Sequence, residues 1–141
     1  MRPTWSHYFL SLARTAATRA SCPRAQVGCV LVRDNHVLSV GYNGSMRGAP
    51  SCLDIGCLMP HGACIRTQHA ETNAVIQAAR HGVSTIGATA YCTHSPCRAC
   101  MGVLVNAGIV SIQYGELYRI SEHLQELAGL GVEHGKIVLE S

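Results

Sequence analysis

The sequence predicts one α/β domain, residues 1–141, built on a mixed five-stranded sheet whose last two strands run parallel. Three observations carry this reading. Short β-branched runs and helical stretches follow one another in the order αββαβαβαβ, the last two strands are separated by a helix rather than a hairpin turn, and 141 residues with 48% hydrophobic side chains suit one core rather than two.

Each element has a local cause. Trp5, Phe9, Leu12, Ala13, Ala16 and Ala20 recur at helical spacing behind a Thr4 cap, which makes the basic opening third a structural helix rather than the transit peptide it superficially resembles. Val27–Val32 and Val37–Tyr42, joined at Asp34-Asn35, read as a hairpin. Residues 43 to 65 hold six glycines and prolines and three cysteines without a period, and read as a long loop, which in a small domain is functional or tied down. A helix follows from His69, through Ala70, Ala74, Val75, Ala78 and Ala79, and stops at Gly82. Then come a strand at Ala88–Thr93, a helix from Pro96 to near Gly108, a strand at Ile109–Tyr114, a helix from about Ser121 to Leu130 and a last strand around Lys136–Glu140.

Composition excludes several functions. No apolar run approaches the roughly 20 residues that cross a bilayer, so no membrane partner is expected. The net charge of +3 is too small to imply a nucleic-acid surface. Ten arginines against the single Lys136 suggest planar hydrogen bonding to carboxylate or phosphate, or else a coding bias toward arginine. Eight cysteines in a chain with an ample apolar core and no signal-peptide pattern point to metal rather than to a disulfide framework.

The metal chemistry has an address. In Pro96-Cys97-Arg98-Ala99-Cys100 the two thiols lie at i and i+3, on one face of a helix start where exposed N–H groups favour thiolates; alone, this spacing also fits a redox dithiol or a zinc knuckle. His69-Ala70-Glu71 opens the preceding helix, although i and i+2 do not share a helix face, so spacing alone does not make both side chains converge. Together the two segments resemble the H-x-E plus P-C-x-x-C signature of zinc-dependent nucleobase deaminases, with His69, Cys97 and Cys100 as ligands and Glu71 as proton shuttle. Three protein ligands leave zinc a position for water, whose pKa falls to about 7 in such sites; a structural site would be closed by a fourth ligand and leave Glu71 without a task.

The likeness extends over nearly the whole chain. Trp5 to Phe9, residues 21 to 28, Gly41-Tyr42-Asn43-Gly44-Ser45, residues 69 to 74, Tyr91 to Cys100 and Tyr114 to Tyr118 resemble the deoxycytidylate (dCMP) deaminase family, including its competence-operon and phage-type members. The resemblance implies a three-layer α/β/α cytidine-deaminase-like fold and a cytoplasmic hydrolase that converts dCMP to dUMP and ammonia. It further implies a homohexamer activated by dCTP and inhibited by dTTP, with Mg2+ accompanying the nucleotide effector, and no nucleic-acid partner. By the same resemblance Asn43 binds the sugar, the Ala70 peptide and Glu71 read the base, and Tyr118 lies by the phosphate or ring, while Arg24, Arg47 and Arg66 are candidate phosphate contacts as a group. His94 should lie near the pocket mouth as a packing or hydrogen-bonding residue.

Cys52, Cys57 and Cys64, with Cys22 ahead of the first strand, can close a second, structural zinc site that pins the loop, as in some phage-type members; His61 is an alternative ligand, and free, partly buried thiols are the competing reading. Cys29 and Cys92 sit in apolar strands and read as core. Three competing functions remain: a tRNA adenosine deaminase or other nucleobase deaminase, which would want a basic RNA surface; the riboflavin-pathway deaminase, which normally carries a reductase domain; and an inactive zinc-stabilised nucleotide-binding module, which has no need of Glu71.

Overall fold

A computed structural model describes residues 1–60 and 64–138. Helix α1 (Trp5–Ala17) is capped by Thr4, whose side chain accepts the His7 N–H at 3.2 Å. It buries Phe9, Leu10, Ala13, Ala16 and Ala17. Trp5, expected on the core stripe, is exposed instead, because its ring stacks over Phe9 at the helix end rather than beneath it. Ala20 is buried beyond the last helical turn.

Strands β1 (Gly28–Arg33) and β2 (His36–Tyr42) form the expected hairpin. Its turn residues Asp34 and Asn35 have φ of 53° and 59°, the left-handed pair that a two-residue turn needs to match strand twist. The 43–65 segment is not wholly irregular: it contains the two-residue strand β3 (Gly44–Ser45) and one helical turn, α2 (Cys52–Ile55). β3 pairs with β4 (Thr67–Gln68), which leads into α3 (Ala70–Arg80).

Strand β5 (Thr89–His94), helix α4 (Arg98–Asn106) and strand β6 (Ser111–Glu116) complete a crossover in which β5 and β6 are parallel. The last helix is broken into a 3-10 turn (Glu122–Gln125) and a short α5 (Glu126–Gly129), with Gly129 and Gly131 weakening the segment. β7 (Glu133–Lys136) lies earlier than the expected 136–140, of which residues 139 and 140 lie outside the described residues. Its sequence, Glu-His-Gly-Lys, has no apolar alternation; backbone pairing with β6 places it, from Ser111↔Glu133 to Tyr114↔Lys136, and that pairing is parallel as expected.

The main sheet runs β2-β1-β5-β6-β7. Between it and α3 and α4 lies the larger core, including Leu31, Ala90, Leu104 and Ile112. A smaller core of Phe9, Ala13, Val30 and Val32 joins the opposite face to α1. Cys29 and Cys92 face each other across β1 and β5 with sulfurs 3.6 Å apart, fully buried. Two glycines let the helices come close. A Cβ at Gly28 would collide with the Ala13 carbonyl of α1, and one at Gly41 with the Ala70 carbonyl and Ala74 nitrogen of α3.

Candidate active site

Helices α3 and α4 begin side by side at the ends of the central strands. His69 is not part of α3 but its cap, with extended backbone (φ −72°, ψ 153°), so its side chain leaves the chain in a direction that no helical residue could take. Glu71, within the first turn, is therefore free to reach the same space. The i and i+2 objection applies only to two helical residues.

Cys97 plays the same part for α4. It is the cap rather than a first-turn residue, a shift of one turn position from the sequence reading, and its sulfur accepts the Cys100 N–H at 3.5 Å. The His69 Nδ1 atom lies 3.5 Å from the Cys97 sulfur and 3.2 Å from that of Cys100. Bonds of about 2.1 Å to nitrogen and 2.3 Å to sulfur put tetrahedral vertices roughly 3.6 Å apart, so the donor set fits zinc in both chemistry and spacing.

The electrostatics point the same way. Cys97 is held at about 3, far below an ordinary thiol, by hydrogen bonding with Cys100 and His69, against the opposing effect of burial. Hydrogen bonding to Cys97 raises the His69 pKa, and the same partner together with burial pushes the Cys100 thiol up. The three side chains thus share protons that a cation would displace. Burial raises the carboxyl of Glu71 above its usual range, although the N–H of its own residue, Cys100 and His69 pull the other way.

Glu71, His69 and Cys97 line a cavity of about 590 Å³, a size suited to a small ligand. Asn43, Ala70 and Tyr118 line it too, as does Arg24. Asn43 is held rigidly, its Oδ1 accepting the Val27 N–H and its Nδ2 donating to the Ala25 carbonyl, each at 2.8 Å.

A helix-cap histidine, a buried glutamate and two cysteines of a second helix start are held at one cavity, and the family model for the cytidine and deoxycytidylate deaminase zinc-binding region matches residues 3–116. The chain belongs to that family. Among its relatives, ComE operon protein 2 of Bacillus subtilis is 44% identical over 135 residues, 94% of this chain and 71% of that protein. The deoxycytidylate deaminase of Mycobacterium phage D29 is 38% identical, over 80% of this chain and 95% of the phage protein. The Saccharomyces cerevisiae deoxycytidylate deaminase is 39% identical over 86% of this chain, which spans 41% of the yeast protein's length. A crystal structure of the cyanophage S-TIM5 dCMP deaminase, in complex with dCMP and dUMP, superposes with a TM-score of 0.85 at 30% identity, over 97% of this chain and 99% of the other. This is the cytidine-deaminase-like fold that the sequence resemblance implied.

In this deaminase-family chain the four remaining loop-site cysteines also converge. The Cys22 and Cys57 sulfurs lie 3.8 Å apart and those of Cys52 and Cys64 3.5 Å apart, all unbridged. Burial pushes the Cys57 thiol up to about 12, with the neighbouring thiols adding to it. Burial also acts to raise Cys64, yet it is brought down to about 6 by N–H donors from Leu58, Arg66 and Thr67 and by the Cys52 thiol. The Cys22, Cys52 and Cys57 sulfurs lie within 4.8 Å of one another, and Cys64, supported by backbone donors, adjoins Cys52, an arrangement that suits a structural zinc site. His61, the alternative ligand, lies outside the described residues.

The arginines separate. Only Arg24 of the three candidates lines the cavity; Arg47 is exposed elsewhere, and the Arg66 Nε donates to the Gly56 carbonyl at 3.0 Å, which fastens the loop to itself. His94 is at the cavity, with Nδ1 2.9 Å from the Thr93 hydroxyl and Nε2 3.3 Å from the Glu116 carboxylate. The sequence reading passed over Thr67, Ser95 and Arg119, which also line the cavity. Ser95 stands inside the quoted Tyr91–Cys100 stretch and Arg119 directly follows Tyr118, so proximity to the motifs was the one available signal.

Proposed function

We propose that this chain, as a single deaminase-type domain, hydrolyses the 4-amino group of dCMP to give dUMP and ammonia. The observation that carries the reading is the union of His69, Cys97 and Cys100 with a buried glutamate in one cavity, in a family whose relatives include named deoxycytidylate deaminases. His69, Cys97 and Cys100 would hold zinc, which would supply Lewis acidity toward the attacking water. Glu71 moves two protons in turn: its carboxylate takes one from the attacking water and gives it to ring N3, which keeps it, then takes the proton of the new C4 hydroxyl and gives it to the amine, which leaves as ammonia while C4 becomes a carbonyl. Burial raises this carboxyl above its usual range, which favours its holding a proton between the two transfers. Asn43, pinned through both ends of its amide, orients the sugar, while the Ala70 peptide and Glu71 orient the base. Tyr118 and Arg24 face the nucleotide from the cavity wall.

The convergent thiols of Cys22, Cys52, Cys57 and Cys64 support a second, structural zinc. Family likeness supports a homohexamer, activation by dCTP and inhibition by dTTP, and Mg2+ arriving with the triphosphate. Eight free cysteines suit a reducing compartment, and we place the reaction in the cytoplasm.

An ultraviolet deamination assay of dCMP, dCTP, cytidine and 5-substituted dCMP, with and without added dCTP, tests the reading. Turnover is expected to be fastest with a deoxycytidine monophosphate and to rise with dCTP. Equal rates on cytidine and dCMP would remove the case for a phosphate-reading site.

A further inference from the structure

We infer that Thr72 is a positioning residue for the proposed reaction: its hydroxyl donates to the Cys100 sulfur, fixing the direction of that ligand and tempering its electron donation to zinc. The inference rests on the reading of this cavity as a zinc-dependent deaminase site and adds a residue behind the ligands themselves. The Thr72 oxygen lies 3.6 Å from the Cys100 sulfur, across the gap between the starts of α3 and α4. Once Cys100 holds a metal it has lost its proton, so the hydroxyl gives the hydrogen and the sulfur accepts it.

The two thiols are supported in different ways. Cys97 caps α4, and its sulfur receives a backbone N–H, that of Cys100, at 3.5 Å. Cys100 lies within the helix at 3% exposure, away from bulk water. The neighbours of its sulfur are the Cys97 thiol, the His69 Nδ1 atom at 3.2 Å and the Thr72 hydroxyl. With a metal bound, Cys97 is a thiolate and His69 turns the Nδ1 lone pair to the ion, so neither has a hydrogen to give. Thr72 is the donor that remains to this sulfur among the described residues.

The hydroxyl is free for this contact. A helical threonine commonly bonds back to the carbonyl four residues earlier. That carbonyl belongs to Gln68, ahead of the helix in β4, and it accepts the Asn73 Nδ2 hydrogen at 3.3 Å instead. Charge gives the contact its use. Two thiolates and the Glu71 carboxylate outweigh one divalent ion, in a place where burial makes unbalanced charge costly. A hydroxyl donor on a ligand sulfur spreads that charge and leaves the metal the stronger Lewis acid.

Two variants separate the hydrogen bond from the packing: Thr72→Val keeps the branched shape and removes the donor, and Thr72→Ser keeps the donor. Cobalt-substituted protein reports the sulfur directly, through its thiolate-to-cobalt charge-transfer absorption, and the loop thiols, common to all three proteins, cancel in difference spectra against the wild type. Thr72→Val is expected to move this absorption to longer wavelength, since a thiolate without its hydrogen bond gives up charge more easily. In the zinc-loaded enzyme it is expected to lower kcat for dCMP about tenfold with KM little changed. Thr72→Ser is expected to stay near the wild type in both, and a thermal melt confirms that each variant is folded. An unmoved absorption in Thr72→Val, an unchanged kcat beside an active wild type, or an equal change in Thr72→Ser overturns the assignment. Failure of the deamination reading is separately visible, as absence of dCMP turnover in a wild type whose cobalt absorption still responds to Thr72→Val.

Discussion

Glu71 is buried at 4% exposure beside three metal-fitting side chains, a costly place for a carboxylate with no proton to move. Glu71→Gln keeps the shape and volume of that side chain and removes its ability to accept a proton. The variant is expected to bind as much zinc as the wild type, by elemental analysis, and to deaminate dCMP at least about a hundredfold more slowly. Wild-type turnover in this variant would mean that some other group shuttles the proton. At this scale the sequence spoke clearly about residue types and poorly about direction. His69, Glu71, Cys97 and Cys100 were legible as a set, yet both His69 and Cys97 prove to be caps with extended backbone, and it is this conformation that turns the side chains together.

At the scale of elements, the site depends on how closely α3 can approach β2. Gly41 permits that approach, because a methyl group there would strike the backbone of Ala70 and Ala74, the turn that follows His69 and carries Glu71. Gly41→Ala is expected to destabilise the protein by about 1–3 kcal/mol, measured by urea unfolding of the zinc-loaded form, and to slow deamination as the start of α3 is displaced. Unchanged stability would show that the helix does not rest on this strand. The helices and strands with periodic apolar residues were legible in the sequence, α1, α3 and the β1–β2 hairpin among them. The bounds of β7 and the break in the final helix were not, because a polar edge strand gains its place from hydrogen bonding to β6 rather than from a pattern of its own.

For the molecule as a whole, the question is what ties the 43–65 segment to the sheet. Cys22 comes from the turn before β1, Cys52 and Cys57 from α2 and its exit, and Cys64 from the approach to β4, so one ion would join three parts of the chain. Cys22 and Cys64 also line the cavity that holds Glu71 and His69, which makes the loop one of its walls. Elemental analysis is expected to find two zinc ions per chain in the wild type and one in Cys57→Ser, with a lower melting temperature in the variant. One zinc in the wild type would leave the four thiols as a packed cluster without a metal.

The sequence by itself determined the hairpin, the parallel crossover order, the His69, Cys97 and Cys100 donor set that fits a metal and the cysteines that could gather around a second ion. The hairpin and the His69-Ala70-Glu71 and Cys97–Cys100 segments depend on residue type at short spacing, which a linear chain displays, and family resemblance joined the segments into sets. The tertiary structure alone decided which arginines line the cavity, dismissing Arg47 and Arg66 from it and admitting Arg119, and it set the Cys22 and Cys57 sulfurs 3.8 Å apart. Those outcomes depend on loops from distant parts of the chain meeting at one end of the sheet, where their neighbours in space are not their neighbours in sequence.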